Sequence, residues 1–111
     1  MDRYVPRKGD FVAVGLEAGA GHEQRGHRPA LVVSNDLFNE RTGLAFVCPL
    51  TNTRRGYPFH VPIPEGGAVG GVVMVDQMRS IDFRARGAKS LGAAPSGVLD
   101  EALALLDACI Y

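Results

Sequence analysis

The sequence has no tryptophan, and its five Phe and three Tyr are few for 111 residues. Large aromatic surfaces for stacking against flat ligands are therefore scarce. No apolar run approaches the ~18 residues that a membrane-spanning helix requires, and residues 1–6 lack the apolar stretch of a secretion signal. We therefore expect a cytoplasmic protein that has no membrane partner.

Cysteine and histidine are also sparse, with two and three copies. Cys48 and Cys109 each lie in an apolar stretch, which predicts free, buried thiols that pack as small hydrophobic side chains. His22 and His27 have no further ligand near them at metal-binding spacing. We therefore expect neither a metal ion nor another cofactor.

The chain carries no net charge, since 12 Lys and Arg balance 12 Asp and Glu. The charges are unevenly distributed, however, because the segment 95–111 holds three acidic residues and no basic one. Residues 1–94 thus have a net charge of +3, with basic clusters at 25–28, 54–55 and 79–89. Such patches can bind a phosphate backbone even on a neutral protein, although three solvated loops explain them equally well.

The length is typical of one domain, which we expect to span residues 1–111. Short segments rich in Val, Leu and Phe, separated by Gly and Pro, predict strands. One helical turn is expected after an N-cap at Ser34 or Asn35, and a closing helix after Ser96. The predicted fold class is mainly β (α+β), a small antiparallel barrel-like sheet with a C-terminal helix. The strands are predicted at residues 11–14, 29–33, 44–49, 59–63, 71–75 and 78–83.

Residues 20–31 hold an unusual density of reactive side chains. Two His, one Glu and two Arg lie among glycines, immediately before the apolar run 30–33. These groups can move a proton or neutralise a phosphate, and a loop that only connects strands has little use for them. If the protein has an active site, part of it is expected here.

Several segments resemble one family in their order and spacing. The family is that of the MazF/PemK (Kid) toxins of bacterial type II toxin–antitoxin modules, and the resemblance covers nearly the whole chain. The matching segments are RYVP at 3–6, GD at 9–10, GHEQRGHRPA at 21–30, GYPF at 56–59, DQMRSID at 76–82 and RARG at 84–87.

The resemblance implies a homodimeric, metal-independent endoribonuclease with the SH3-like, partly open barrel of PemK and CcdB. It would cleave single-stranded RNA, including mRNA, at specific sequences, and so inhibit translation and growth. The ribose 2′-OH would attack the adjacent phosphate, leaving a 2′,3′-cyclic phosphate and a 5′-OH. The implied partner besides RNA is a cognate, MazE-like antitoxin with an acidic, disordered tail.

The resemblance also implies catalytic residues. Arg28 matches the arginine of the Gly-x-Arg-Pro motif, and Thr51 the threonine at the end of the third strand. A guanidinium suits phosphate oxygens, and a hydroxyl or a neighbouring N–H can stabilise an oxyanion. Glu23 is the candidate general base, and His22 could act as acid, base or transition-state stabiliser. Each of these residues could alternatively have only a structural or solvated role.

One departure concerns the catalytic couple of Kid-type relatives. Where those proteins carry an arginine two positions before Asp-Gln, this chain has Met74, so the Kid-type Arg/Asp couple cannot form. We therefore expect a MazF-like mechanism in which Asp76 supports the site. Tyr57 and Phe59 are the few candidates for base stacking, although both suit the core better. Further candidates for RNA contact are His27, Asn52, Arg54, Arg55, Gln77, Arg79 and Arg86.

Two other functions are compatible with the same scaffold. One is a non-enzymatic, gyrase-binding toxin that resembles CcdB, which acts through the terminal helix of its dimer. The other is an SH3-like nucleic-acid-binding adaptor, whose activity would not depend on Arg28. The presence of Glu23, Arg28 and Thr51 together favours the ribonuclease.

Overall fold

An antiparallel sheet of seven strands dominates the computed structural model, which describes residues 4–16 and 27–111. A 3-10 turn at Val75–Gln77 follows the fifth strand. The strands are β1 (Asp10–Gly15), β2 (His27–Val32), β3 (Leu44–Thr51), β4 (His60–Pro62), β5 (Val72–Met74), β6 (Arg79–Asp82) and β7 (Lys89–Ala93), and the helices are α1 (Asp36–Thr42) and α2 (Ser96–Ile110).

The strands follow the order β4-β5-β3-β2-β1-β7, and β6 pairs with β3. Strand β3 is central because β2 pairs with it on one side, while β6 and β5 share the other. The first half of β3 pairs with β6, and its last two residues, Leu50 and Thr51, pair with Val73 and Val72 of β5. The partner of β3 on this side therefore changes from β6 to β5 before the strand ends at Thr51.

Both faces of the sheet are buried along β1, β2 and β3, which explains the apolar runs in these segments of the sequence. Alternate residues of β1 and β2 belong to different clusters, so that Phe11 and Leu31 pack in one and Val12 and Val32 in the other. The first cluster is covered by α2, which contributes Val98 and Ala102. Strands buried on both faces read as continuous hydrophobic segments. The predicted antiparallel sheet and C-terminal helix are confirmed.

The helix ends follow local sequence only in part. The side chain of Asn35 accepts a hydrogen bond from the N–H of Phe38, which confirms the predicted cap of α1. Ser96 was expected to cap α2, and this was wrong. The cap position is Pro95, which makes no side-chain bond, and Ser96 is already the first helical residue.

The two cysteines differ in their surroundings. Cys48 is fully buried, and desolvation, with smaller contributions from Asp76 and Cys109, raises the pKa of its thiol to about 12. It therefore stays protonated at neutral pH and packs as a hydrophobic side chain, as predicted. Cys109 is exposed, contrary to expectation. Helix α2 buries residues in its first two turns and leaves its last turn uncovered.

One strand was not predicted, and one aromatic residue lies outside the core in which it was expected. Among the strands of the described residues, β7 pairs only with β1, and all five of its residues are exposed. Tyr57 is 45% exposed, so its expected place in the core was wrong, whereas Phe59 is half-buried. Among residues 4–16 and 27–111, no helix is long and apolar enough to cross a membrane.

Candidate active site

Arg28 and Thr51 lie at the same end of neighbouring strands. In the antiparallel register of β2 and β3, Ala30 is opposite Pro49, and Arg28 lies two residues before Ala30 while Thr51 lies two residues after Pro49. Two positions preserve the side-chain direction in a strand, so both side chains leave the sheet on one face. The residues are 23 apart in sequence, and the pairing of β2 with β3 places them together.

The two residues line a common pocket of about 300 Å³, here called the Arg28 pocket. Arg28 is exposed, whereas Thr51 is half-buried, with its Oγ1 accepting a hydrogen bond of 3.2 Å from the N–H of Thr53. That bond orients the hydroxyl within the strand end. The remaining lining residues are Pro29, Leu50, Asn52, Thr53 and Gly70.

The backbone at Thr51 is closely packed against β5. Gly71 has a positive φ of 97°, and a Cβ built on it would overlap the carbonyl oxygen of Thr51. A side chain at this position would therefore be disfavoured both by its backbone conformation and by lack of space. Gly71 thus allows the chain at the start of β5 to pack closely against the backbone of Thr51, which holds the end of β3 in place.

A second pocket of about 300 Å³ lies beside the first and shares Thr51 and Thr53 with it. We call it the His60 pocket. The His60 side chain is only 10% exposed, and its Nε2 is 3.8 Å from Oδ1 of Asp76. Its Nδ1 is buried and has no hydrogen-bond partner among the described residues. The other lining residues are Arg55, Tyr57, Met74 and Gln77.

Met74 lies opposite His60 in the pairing of β4 with β5. The apolar Met74 side chain thus stands beside the histidine, at the position where Kid-type relatives carry arginine. Asp76, in the 3-10 turn that follows, faces His60 instead. His60 was not predicted as a site residue, because its neighbours Phe59 and Val61 mark the opposite face of β4 as the buried one.

Two arginines proposed as RNA contacts bind the main chain. Nη1 of Arg79 donates a 2.8 Å hydrogen bond to the carbonyl oxygen of Leu16, and Nη1 of Arg86 donates one of 3.3 Å to that of Gly15. Both guanidinium groups therefore stabilise the end of β1. RNA contact by Arg79 or Arg86 remains a prediction.

The other predicted residues divide among several places. Asn52 lines the Arg28 pocket, while Arg55 and Gln77 line the His60 pocket. Arg54 is exposed in the loop after β3, and His27 begins β2, with its Nε2 close to Gly87. His22 and Glu23 lie outside the described residues. Within residues 4–16 and 27–111, no three His, Cys, Asp or Glu side chains are grouped as a metal site requires.

Comparison with known proteins gives the family. The model of the PemK-like, MazF-like toxins of type II toxin–antitoxin systems matches residues 7–110. The chain belongs to this family.

Individual relatives agree with that assignment. The endoribonuclease toxin MazF of Escherichia coli K12 is 42% identical over 110 residues, covering 99% of this chain and 95% of the relative. The endoribonuclease toxin ChpB of the same strain is 45% identical over 108 residues, with 93% and 92% coverage.

Solved structures show the same fold. The crystal structure of MazF from Deinococcus radiodurans matches with a TM-score of 0.87 and 44% identity, covering 97% of this chain and 98% of that one. MazF in a MazE–MazF crystal structure from the same organism matches with a TM-score of 0.86 and 40% identity, covering 97% of both chains. The resemblance seen in the sequence and the enzyme class that it implied are confirmed.

Proposed function

We propose that this protein is a sequence-specific endoribonuclease, the toxin of a toxin–antitoxin module, and that it cuts single-stranded RNA in the Arg28 pocket. The observation that carries the proposal is the meeting of Arg28 and Thr51 in one open pocket of a chain from this family. The endoribonuclease names of the relatives favour this function over a gyrase-binding toxin or a binding adaptor.

The chemistry requires charge stabilisation at the scissile phosphate. When the ribose 2′-OH attacks, negative charge grows on the phosphate oxygens, and the Arg28 guanidinium offers several donors to them. The Thr51 hydroxyl, or the N–H groups that follow it, binds another oxygen. The bond to the 5′-oxygen then breaks, which leaves a 2′,3′-cyclic phosphate and a 5′-OH.

Two proton transfers accompany this step. The 2′-OH must lose a proton and the leaving 5′-oxygen must gain one. We assign the first transfer to Glu23, whose carboxylate is ordinarily ionised at neutral pH. We assign the second transfer, to the leaving oxygen, to His22 or Arg28, since histidine is a common general acid in enzymes. Asp76 supports the site from the 3-10 turn.

Every group in this mechanism belongs to the protein or to the RNA. The purified protein is therefore expected to cut a long single-stranded RNA equally fast in EDTA and in added Mg²⁺, as measured by gel analysis of 5′-labelled fragments. The new 3′ ends should resist phosphatase until mild acid opens the cyclic phosphate, which distinguishes them from ends with a linear 2′- or 3′-phosphate. Loss of cleavage on chelation would contradict the mechanism.

The net positive charge of residues 1–94 favours an acidic protein as the cellular partner. We propose that a MazE-like antitoxin inserts an acidic, disordered segment over the basic 1–94 region and blocks the RNA site. The product of the adjoining gene is expected to co-purify with the toxin and to stop cleavage at one equivalent. Binding without inhibition would exclude this form of control.

We further propose that the protein is a homodimer. We also propose that it cuts mRNA and thereby inhibits translation and growth.

A further inference from the structure

The strand segment that carries Arg28 takes its position from β1. The ladder of β2 with β3 covers Ala30–Val32, whereas the ladder of β2 with β1 continues through Arg28, opposite Val14, to His27. Arg28 therefore lies where β2 extends beyond its ladder with β3. Because the backbones of paired strands are joined by hydrogen bonds, the position of Arg28 depends on where the end of β1 lies.

Two arginine side chains hold the end of β1. The bond from Nη1 of Arg79 to the carbonyl oxygen of Leu16, at 2.8 Å, is shorter than the 3.3 Å bond from Nη1 of Arg86 to that of Gly15. The N–H of Gly15 in turn donates a 3.0 Å bond to the carbonyl oxygen of Arg86. Because its donor is charged, the short bond of Arg79 is stronger than one between two neutral groups.

The Arg79 side chain reaches β1 from β6 along a buried face of the sheet. In the ladder of β6 with β3, Arg79 is opposite Val47, which is fully buried in the cluster that contains Val12 and Val32. Side chains of directly opposite residues lie on the same face, and Arg79 is accordingly half-buried. Leu16 packs against the same cluster. The guanidinium is therefore placed by β6 and by packing, and it joins β6 to the end of β1.

We propose that Arg79 is a positioning residue for RNA cleavage. Its bond to the carbonyl oxygen of Leu16 fixes the end of β1, and the ladder of β1 with β2 passes that constraint to Arg28. This role differs from a direct RNA contact, in which the Arg79 guanidinium would bind a phosphate of the substrate. The inference rests on the proposed function, because it takes Arg28 as the residue that stabilises the reacting phosphate.

The first test separates the rate of cleavage from the binding of RNA. Arg79→Met keeps an apolar stem but donates no hydrogen bond, and it is expected to lower kcat about tenfold or more with KM changed by no more than about threefold. The affinity for a mapped oligonucleotide should keep the wild-type dependence on salt, because a lost phosphate contact would reduce its slope by about 0.7. Arg79→Lys, which can still donate to the carbonyl oxygen, should recover part of kcat.

A double variant tests whether Arg79 acts through Arg28. In the Arg28→Ala protein, the further change Arg79→Met should lower kcat by no more than about threefold, because the residue that Arg79 positions is already lost. An effect of Arg79 on general stability or on RNA binding would persist in that background.

Amide hydrogen exchange tests the position of β1 without RNA. In Arg79→Met the amides at the end of β1 and the start of β2 should exchange faster than in the wild type, because a bond that holds them is lost. Arg84→Ala is the matched control, since Arg84 is an exposed arginine of the same basic segment whose guanidinium lies over the Phe83 ring. It should match the wild type in kcat and in exchange. If Arg79→Met does not fold, as judged by circular dichroism, the intermediate kcat and wild-type salt dependence expected of Arg79→Lys decide.

The outcomes separate this inference from the proposed function. Wild-type kcat in the Arg79 variants, or a loss of kcat that is as large without Arg28 as with it, would overturn the positioning role and leave the ribonuclease intact. The same holds if kcat is unchanged and the salt dependence becomes flatter, since Arg79 would then be an RNA contact. If the wild type cut no RNA, the proposed function would fail, and this inference with it.

Discussion

Arg28→Ala is expected to lower kcat for RNA cleavage by about 10²–10³-fold, the effect of removing one donor from a preorganised oxyanion site. Arg28 is exposed at the start of β2, so its truncation should change the unfolding temperature little. The affinity for RNA should fall less than the rate does, because the charge that Arg28 neutralises grows during the reaction. Single-turnover kinetics on a mapped oligonucleotide measure the cleavage rate and the affinity for RNA. Circular dichroism of the same sample measures the unfolding temperature.

Two further variants test whether the loss of rate is specific to the guanidinium group at position 28. Arg28→Lys keeps the charge but loses the planar fork, so we expect it to recover only part of the rate. Arg41→Ala removes an exposed arginine from the last turn of α1, outside both pockets, and should cut at the wild-type rate. Wild-type kinetics in Arg28→Ala would refute the assignment of this residue.

Gly71→Ala is expected to impair stability and cleavage together. The positive φ of 97° disfavours any residue with a Cβ, by about 1–3 kcal/mol, and the added methyl group would also overlap the carbonyl oxygen of Thr51. Relief of that overlap moves the end of β3. A displacement of about 1 Å at a catalytic group can reduce a rate by about 10²-fold. Urea unfolding and kcat at a temperature where the variant is folded are the two measurements.

Gly66→Ala separates the effect of backbone strain at a positive φ from the effect of displacing Thr51. Gly66 has nearly the same φ, 100°, but a Cβ there meets nothing within 4 Å. This variant should therefore lose stability through the backbone alone and retain full cleavage. Equal kcat values in the Gly66→Ala and Gly71→Ala proteins would show that the contact of Gly71 with Thr51 does not position Thr51 for catalysis.

Local chemistry made much of the fold predictable. The apolar runs at 11–14 and 29–33 identified β1 and β2, and Asn35 marked the start of α1. Strand β7 was missed because its residues are all exposed and lack apolar alternation. Such an edge strand forms because β1 offers it a partner, and a partner distant in sequence leaves no local pattern.

The candidate site was predictable to a similar degree. Arg28 and Thr51 came from the family motif, and the register of β2 with β3 supplies the physical reason for their meeting. The contact of His60 with Asp76 could not be predicted, since it requires the pairing that sets His60 opposite Met74 and the turn that follows. The exposure of Tyr57 likewise depends on the path of the loop after β3.

The central position of β3 determines how Thr51 moves. A strand paired on both sides exchanges its amide protons slowly, because its hydrogen bonds open only when the sheet around it does. β3 pairs with β2, β5 and β6, so its amide protons are expected to exchange slowly, and Thr51 at its end is held by its pairing with Val72 of β5. Opening of Thr51 is therefore expected to follow the pairing of β3 with β5, and local fraying of the sheet edge at β7 should leave this residue in place.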